Sequence, residues 1–388
     1  MLLATGFRPF FLLAALLGAA WVPLWIAVLV GYAPIASHFG PVGWHSHEMI
    51  FGYAAAVIAG FLLTAVQNWT GRRTAHGAGL LLLCLLWLGG RLTLLFSARL
   101  SPLFAASIDC AFLPALGVFV ARPLFAERNR RNYAFVALIA LMTGCNVLLH
   151  LAASGVLVVC GKAALAVALD IVLVMIAIVG GRIVPLFTRN ALPAEHKAAV
   201  RERDLRDTLA IVAVVAVMLL DAIWTLHPLV VAPVCALAGL LNLARLFGWG
   251  GSRTLRQPIL WVLHVGYAAL GAGLLLRGIA LGAPALLDSS VGTHVLTIGS
   301  IGLLTLGMMS RVALGHTGRA LRVPRPVALA FGLLALALVA RALWPLISPR
   351  TLVSALWVSA VAWAIAFITY LACYARILVS PRADGKPG

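Results

Sequence analysis

Acidic side chains are scarce: 11 Asp and Glu stand against 29 Lys and Arg, and the four types together make only 10% of 388 residues. A soluble domain carries roughly 25% charged residues, so an ordinary water-soluble globule is excluded. Cysteine is sparse as well. Its six copies, Cys84, Cys110, Cys145, Cys160, Cys235 and Cys373, form no C-x-x-C pair and fall mostly within apolar runs. That argues against a disulfide framework and for small core residues. No phosphate-cradling loop and no nucleophile motif occurs. The net charge of +18 would suit a nucleic acid only if the basic residues gathered on one soluble face. They stand singly between apolar runs, so no nucleic-acid partner is expected.

What the chain has in abundance is apolar sequence, 63% of its length. At roughly 20 residues for each membrane crossing this suggests about twelve crossings. Apolar stretches between polar breaks predict helices at 11–31, 44–67, 78–95, 103–121, 133–153, 155–180, 208–226, 228–248, 258–281, 291–313, 325–346 and 351–375. The expected fold class is all-α, a polytopic membrane helix bundle forming a single integral membrane domain over 1–388, with lipid as its partner. The first run follows one basic residue, Arg8, and no small-residue cleavage site, and reads as a retained helix. The longest polar stretch, 187–207, carries Arg189, Glu195, Lys197, Arg201, Glu202, Arg203, Asp204, Arg206 and Asp207 and reads as a solvated cytoplasmic connector. Basic loop residues collect on the even-numbered loops and at both ends, while the odd-numbered loops hold only Arg99 and Arg350. Lys and Arg accumulate on the cytoplasmic side, which places both termini there.

This topology sorts the ten histidines. His38, His45, His47, His150, His227 and His294 fall at outer helix ends or outer loops, His76, His196 and His316 at the inner face, and His264 inside the ninth helix towards its inner end. Loop imidazoles are ordinarily solvated polar groups, and His38, His76, His196 and His227 read that way. A ligating side chain in hydrocarbon is costly and marks function, which singles out His45, His47, His264 and His294.

The second and tenth helices align without a gap. His47 matches His294, Gly52 matches Gly299, Gly60 matches Gly307, and Thr70-Gly71-Arg72 matches Thr317-Gly318-Arg319. At 100° per residue the glycines lie about 140° and 220° round from the histidine, giving each helix a small-residue back for close packing and an imidazole front. The sixth helix ends in Gly180-Gly181-Arg182, a looser echo, so the unit of repetition is four helices.

Two imidazoles at matching depth, roughly 6 Å below the outer boundary at 1.5 Å per residue, suit a metal-centred cofactor, and a haem takes axial imidazoles from opposite faces. C-x-x-C-H is absent, so such a haem is held without thioether links. His45, about 200° round the helix from His47, points elsewhere: to a second metal, a propionate or the helix cap. A copper bound by His45 with a neighbour such as His150 is one reading. Hydrogen bonding of His150 to a headgroup or to Asn146 is the plainer one. Arg91 and Arg277 either pair with haem propionates or snorkel to headgroups. Glu48 is a tautomer-fixing acceptor or a proton carrier. Asp109 and Asp170, inside helices, are proton-relay groups or helix glue.

Seven motifs carry a family resemblance: Phe7-Arg8-Pro9-Phe10-Phe11, Trp44-His45-Ser46-His47-Glu48-Met49, Gly60-Phe61-Leu62-Leu63-Thr64-Ala65, Asn68-Trp69-Thr70-Gly71, Gly181-Arg182-Ile183-Val184-Pro185-Leu186-Phe187-Thr188, Leu263-His264-Val265-Gly266-Tyr267 and Leu314-Gly315-His316-Thr317-Gly318-Arg319. In this order, over essentially the whole chain, they resemble the NnrS family. The resemblance implies a bacterial inner-membrane protein containing haem b and copper, linked to nitric oxide and denitrification intermediates, with His45, His47, His264, His294 and His316 as carried-over metal ligands. It implies no particular reaction and no particular electron donor. The layout is also similar to the catalytic subunit of haem-copper oxidases. The stretches 155–180 and 208–226 contain no histidine, however, so an oxidase-type reaction centre is not expected. The competing class is a twelve-helix transporter, for which repeats and intramembrane charges are equally expected. A metal-dependent nitric oxide sensor would use the same site as the redox protein.

Overall fold

The computed structural model describes residues 1–157, 161–201, 205–223 and 226–386. Among them every regular element is helical: α1 Phe7–Leu29, α2 Gly40–His47, α3 Ala55–Thr70, α4 Gly77–Leu95, α5 Pro102–Cys110, α6 Phe112–Ala126, α7 Tyr133–Ala153, α8 Gly161–Ala191, α9 Leu205–Ala222, α10 Pro228–Leu246, α11 Pro258–Gly282, α12 Ser289–His294, α13 Leu303–Gly315, α14 Arg325–Leu338, α15 Trp344–Ile347 and α16 Leu352–Val379. Several run on into each other, α2 into α3 and α12 into α13 through π-helical segments, so that they make about twelve rods. Eleven are long and apolar enough to cross a membrane. The twelfth, α9, carries Arg206, Asp207 and Asp221. The protein is an all-helical, multi-pass membrane bundle. Its lipid-facing surface is visible on α4, where Leu81, Leu82, Leu85, Leu88 and Leu92 are all exposed, an apolar stripe that water would not tolerate.

The largest boundary departure from the sequence reading is at the end of the sixth run. The sixth run was expected to end at 180 and the connector to begin at 187, but α8 continues to Ala191 with Arg182, Pro185 and Arg189 inside it. Thr188 Oγ1 donates to the Val184 carbonyl at 2.9 Å and lies 2.9 Å from His264 Nε2, which ties this polar end to α11. The connector shortens to the residues after α8, with a 3₁₀ turn at Ala194–Ala199. Glu202, Arg203 and Asp204, and likewise Cys160, lie outside the described residues. The other five cysteines are free thiols.

The chain packs as two compact units. One comprises Met1–Ile171, Val312–Ala320 and Tyr370–Gly388, the other Val172–Arg311 and Leu321–Thr369. The rods Gly40–Thr70 and Ser289–Gly315 are the most enclosed, 78% and 72% buried, against 28% for α1. These are the two that the sequence alignment pairs. They share a further feature: the π-segments Glu48–Ala54 and Val295–Gly302 each begin immediately after the aligned histidine. A π-turn commonly marks a functional position in a helix. In the first unit the widened turn leaves the Gly52 carbonyl to accept the Trp87 indole N–H at 2.9 Å.

The shared glycines sit where backbones meet side chains closely. A Cβ at Gly60 would fall 2.7 Å from the Phe11 ring, and one at Gly307 would fall 2.7 Å from Val262. Gly60 and Gly307 thus let the two rods pack closely, on α1 in one unit and on α11 in the other. The common Thr-Gly-Arg is a helix stop. Gly71 and Gly318 take φ of +68° and +71°, the left-handed conformation that ends helices and favours glycine. Thr70 and Thr317 each bond back to a carbonyl four residues earlier.

The Phe-Arg-Pro-Phe-Phe and Gly-His-Thr-Gly-Arg motifs belong to one tie within the first unit. The Phe7 N–H donates to Thr64 Oγ1 at 3.2 Å, supplying the cap that the first turn of α1 lacks. Buried Arg8 donates to the Leu378 and Ser380 carbonyls, both at 2.7 Å. Arg382 donates to the His316 carbonyl at 2.9 Å, and the Ala383 N–H to the Thr317 carbonyl at 2.9 Å. An Arg8→Leu variant leaves buried carbonyls at the end of α16 without donors, at about 1–3 kcal/mol each. A lowered thermal midpoint in detergent, with helix content unchanged at 20 °C, is the expected result.

Beyond α16 the exposed Asp384 carboxylate accepts from Arg382 Nε at 2.9 Å and Nη2 at 2.6 Å. Those bonds hold its pKa down at about 2. A depressed carboxylate contributes above its ordinary value, about 3.9, and loses the contribution as pH falls through the folded value. The hydrogen-exchange protection factors of residues 381–386, with the intrinsic pH dependence of exchange divided out, should therefore be constant above about pH 4 and fall between 4 and 2, and a flat profile there would show that the pair does not dock the tail.

Candidate metal centre

In the first unit four rods bring ionisable side chains to one buried point. Gly40–Thr70 supplies His47, the last residue of α2, and Glu48, the first of the π-segment. The other contributors are Arg91 from α4, Asp109 from α5, and Asn146 with His150 from α7, spaced one turn apart so that both share a face. The helix carrying Asp109 is started sharply. Ser101 Oγ accepts the Phe104 N–H at 3.1 Å, and Pro102 occupies the first turn. All six side chains are buried.

Asp109 is the hub. Its Oδ2 lies 3.1 Å from His47 Nε2 and 3.1 Å from His150 Nε2, and accepts Asn146 Nδ2–H at 2.8 Å. Its Oδ1 is paired with Arg91 Nη2. Arg91 also stands 3.2 Å from Glu48 Oε1, and the same carboxylate is 3.5 Å from His47 Nδ1. The His47 ring is held between two phenyl rings, Phe39 at 4.8 Å and Phe51 at 4.7 Å, both near parallel. These contacts fix its plane and aim Nε2 at the carboxylate.

The donor atoms of His47, Asp109 and His150 all lie within 4.8 Å of one another. Ligands of a four-coordinate ion at about 2.0–2.1 Å stand roughly 3.3 Å apart, close to the 3.1 Å separations here. Two imidazole nitrogens and a carboxylate oxygen suit a divalent first-row ion. Charge counting points the same way. With neutral imidazoles the cluster holds one guanidinium against two carboxylates, a surplus negative charge that burial makes costly. A bound cation, or a proton on an imidazole, balances it.

Two further observations concern unused valence. The His150 Nδ1 and both Glu48 oxygens are buried without a hydrogen bond, although Glu48 remains in ion-pair range of Arg91. His38, in the loop before α2, packs its ring 5.1 Å from His150, and both its nitrogens are buried and unbonded. Burial, with His150 and His47 nearby, pushes its pKa down to about 4, so the imidazole is neutral at physiological pH. The solvated-loop reading of His38 is thereby corrected: Ser97 Oγ accepts its backbone N–H at 3.1 Å and folds the ring inward.

A family model described as NnrS protein matches residues 1–382 of the 388. The chain belongs to the NnrS family. No curated protein matches it. Within this NnrS chain the remaining expected site residues fall as follows. His45 stacks on Trp25, 4.6 Å away and 8° from parallel, on the other side of α2 from the cluster, while its expected copper neighbour, His150, lies beside His47 and His38. His316 packs on Phe7 at 5.7 Å, within the tie that joins the start of α1 to the end of α16. Burial, then Arg382, holds its pKa below the ordinary value.

The second unit holds three others. His294 Nδ1 lies 2.7 Å from the Ser290 carbonyl, so Nδ1 carries the proton and Nε2 keeps a lone pair, the tautomer used by metal-ligating histidines. Arg277 pairs with Asp221, a protein carboxylate in the role the sequence reading offered to a propionate or a headgroup. His264 Nε2 is 2.9 Å from Thr188 Oγ1. That hydroxyl donates to Val184, so it accepts from the imidazole, and the Nδ1 left over faces Gly251.

Sequence reasoning missed Asp109 as the hub and His38 as its neighbour. The signal for Asp109 was present, since a lone carboxylate in an apolar helix needs partners. Nothing in the spacing distinguishes His38 from a solvated loop residue.

Proposed function

We propose that this NnrS-family chain is a bacterial inner-membrane metalloprotein of nitric oxide handling, with copper held by His47, Asp109 and His150. The surplus buried negative charge facing two imidazoles carries the reading. A first-row ion on three protein ligands supplies a one-electron centre with an open coordination position. The chain's own groups do the rest. Phe39 and Phe51 fix the His47 plane, Arg91 and Asn146 hold the Asp109 carboxylate, and Glu48, 3.5 Å from His47 Nδ1, places a second negative charge beside that ring. Burial within membrane-spanning helices suits a small uncharged diatomic, which partitions into hydrocarbon.

For haem b, His294 would hold the iron through Nε2, its Nδ1 proton being given to the Ser290 carbonyl. His47 is the poorer fit for so large a group, because Phe39 and Phe51 stack on its ring and its Nε2 is directed at Asp109 beside His150. The haem part of the reading therefore rests on His294. The transporter alternative is favoured by one observation, the paired π-segments interrupting equivalent helices.

Oxidised and dithionite-reduced optical spectra with iron and copper analysis, on protein produced with adequate haem and copper, test the proposal. His47→Ala and His150→Ala should each lose copper and keep any b-type spectrum, and His294→Ala should do the reverse. A colourless, metal-free parent would sink the redox reading and leave transport in front.

A further inference from the structure

We infer that His38 is an exchangeable fourth ligand of the His47–Asp109–His150 ion, occupying the open position until a small exogenous ligand displaces it. The inference rests on the metal reading above and adds to it the group that governs access. Buried polar atoms are ordinarily hydrogen-bonded, yet neither nitrogen of His38 has a hydrogen-bond partner, and its ring lies against His150, a member of the ligand group. Two imidazoles on one tetrahedral ion at about 2.0–2.1 Å have ring centres roughly 5 Å apart. The His38–His150 separation is 5.1 Å and the His47–His150 separation 6.0 Å.

The surroundings are built to hold the ring there and still release it. Phe39, next in sequence, packs on His38 at 4.3 Å, on His150 at 4.9 Å and on His47 at 4.8 Å, one phenyl touching all three imidazoles. The loop is anchored through the residues beside His38 and its backbone, not through its ring: His38 N–H to Ser97 Oγ at 3.1 Å, Ser97 Oγ to Ser37 Oγ at 3.4 Å and Ala98 N–H to the Ala36 carbonyl at 2.7 Å. The three core ligands come from helices, whereas His38 alone comes from a loop. His38 lies outside the three-residue ligand group itself, one ring away from it, so a side-chain rotation rather than a refolding brings it on or off the ion. Displacing it opens the coordination position without disturbing a helix.

The test uses full-length protein in detergent, stripped with chelator and reloaded with copper(II) alone, with azide as the displacing probe. Pulsed electron paramagnetic resonance should count three coupled imidazoles in the parent and two in His38→Ala, with one copper per chain in both. Azide should bind about tenfold more tightly to His38→Ala. A parent signal with only two imidazoles overturns the inference whatever the variant does, which covers the case where His38→Ala fails to fold. An unchanged spectrum and unchanged azide affinity in His38→Ala overturn it too, while copper loss in His150→Ala would leave the centre standing. A parent that takes up no copper, or copper that survives both His47→Ala and His150→Ala, removes the centre and the inference together.

Discussion

Asp109→Ala should empty the metal centre and destabilise the first unit in one step. Copper falls from one per chain to under about a tenth, because the variant lacks the only carboxylate in the ligand group. Stability falls by about 3–5 kcal/mol, the cost of breaking a buried ion pair from one side, since the buried Arg91 guanidinium loses its closest partner. Asp109→Asn separates the two effects. It keeps the shape and an oxygen for Arg91 but weakens the ligand, so copper should be lost with a smaller drop in stability. Metal analysis and thermal unfolding in detergent measure both. Copper retained at full stoichiometry in Asp109→Ala would remove this carboxylate from the ligand set.

Gly181→Ala should be the most damaging single methyl in the second unit. A Cβ there lands 1.7 Å from Arg245 Nη2. The guanidinium is the end of a long side chain, but it is not free to move. Its Nε is paired with Asp207, its Nη1 donates to the Ala177 carbonyl at 2.8 Å and the Tyr267 hydroxyl at 2.6 Å, and its plane lies against Trp249 and Tyr267. The Tyr267 hydroxyl passes the chain on to Asn242 Oδ1 at 2.7 Å. Displacing Arg245 breaks all of these, at about 3–5 kcal/mol. The double variant Gly181→Ala with Arg245→Ala should lose clearly less than the sum of the single variants, because the methyl then meets empty space. Additive losses would show that the two residues do not meet.

Helix number was legible because a membrane span must be a long apolar run with every backbone group satisfied internally, and such runs survive reading by eye. The kinship of the second and tenth rods was legible as well, through His47 with His294 and the glycines behind them. α8 was misread at its end because Arg182, Pro185 and Arg189 look like a loop in sequence, while the contact of Thr188 with His264 on α11 is invisible there. The centre was half legible. His47, His150 and Arg91 were each singled out, but depth along a helix says nothing about which neighbouring helix a side chain faces. His47 was therefore paired with His294 by depth alone, and Arg91 was left between a propionate and a headgroup. The structure supplies the missing azimuth, and with it Asp109 and Asn146 as the partners.

The paired π-segments have a consequence for rotation. One residue more per widened turn sets everything beyond it about 100° out of phase with an uninterrupted α-helix. The angles between histidine and glycines computed on a perfect helix therefore do not apply to either rod. The two halves of each rod are instead phased separately. Beyond the π-turn Gly60 and Gly307 are locked against their neighbours by contact, while the imidazole half before it is set by whatever the histidine holds. Deleting a single residue within 48–54 would restore a continuous helix and turn His47 away from Asp109 while leaving Gly60 on Phe11. Phase, rather than sequence identity, is what the two rods have kept in common.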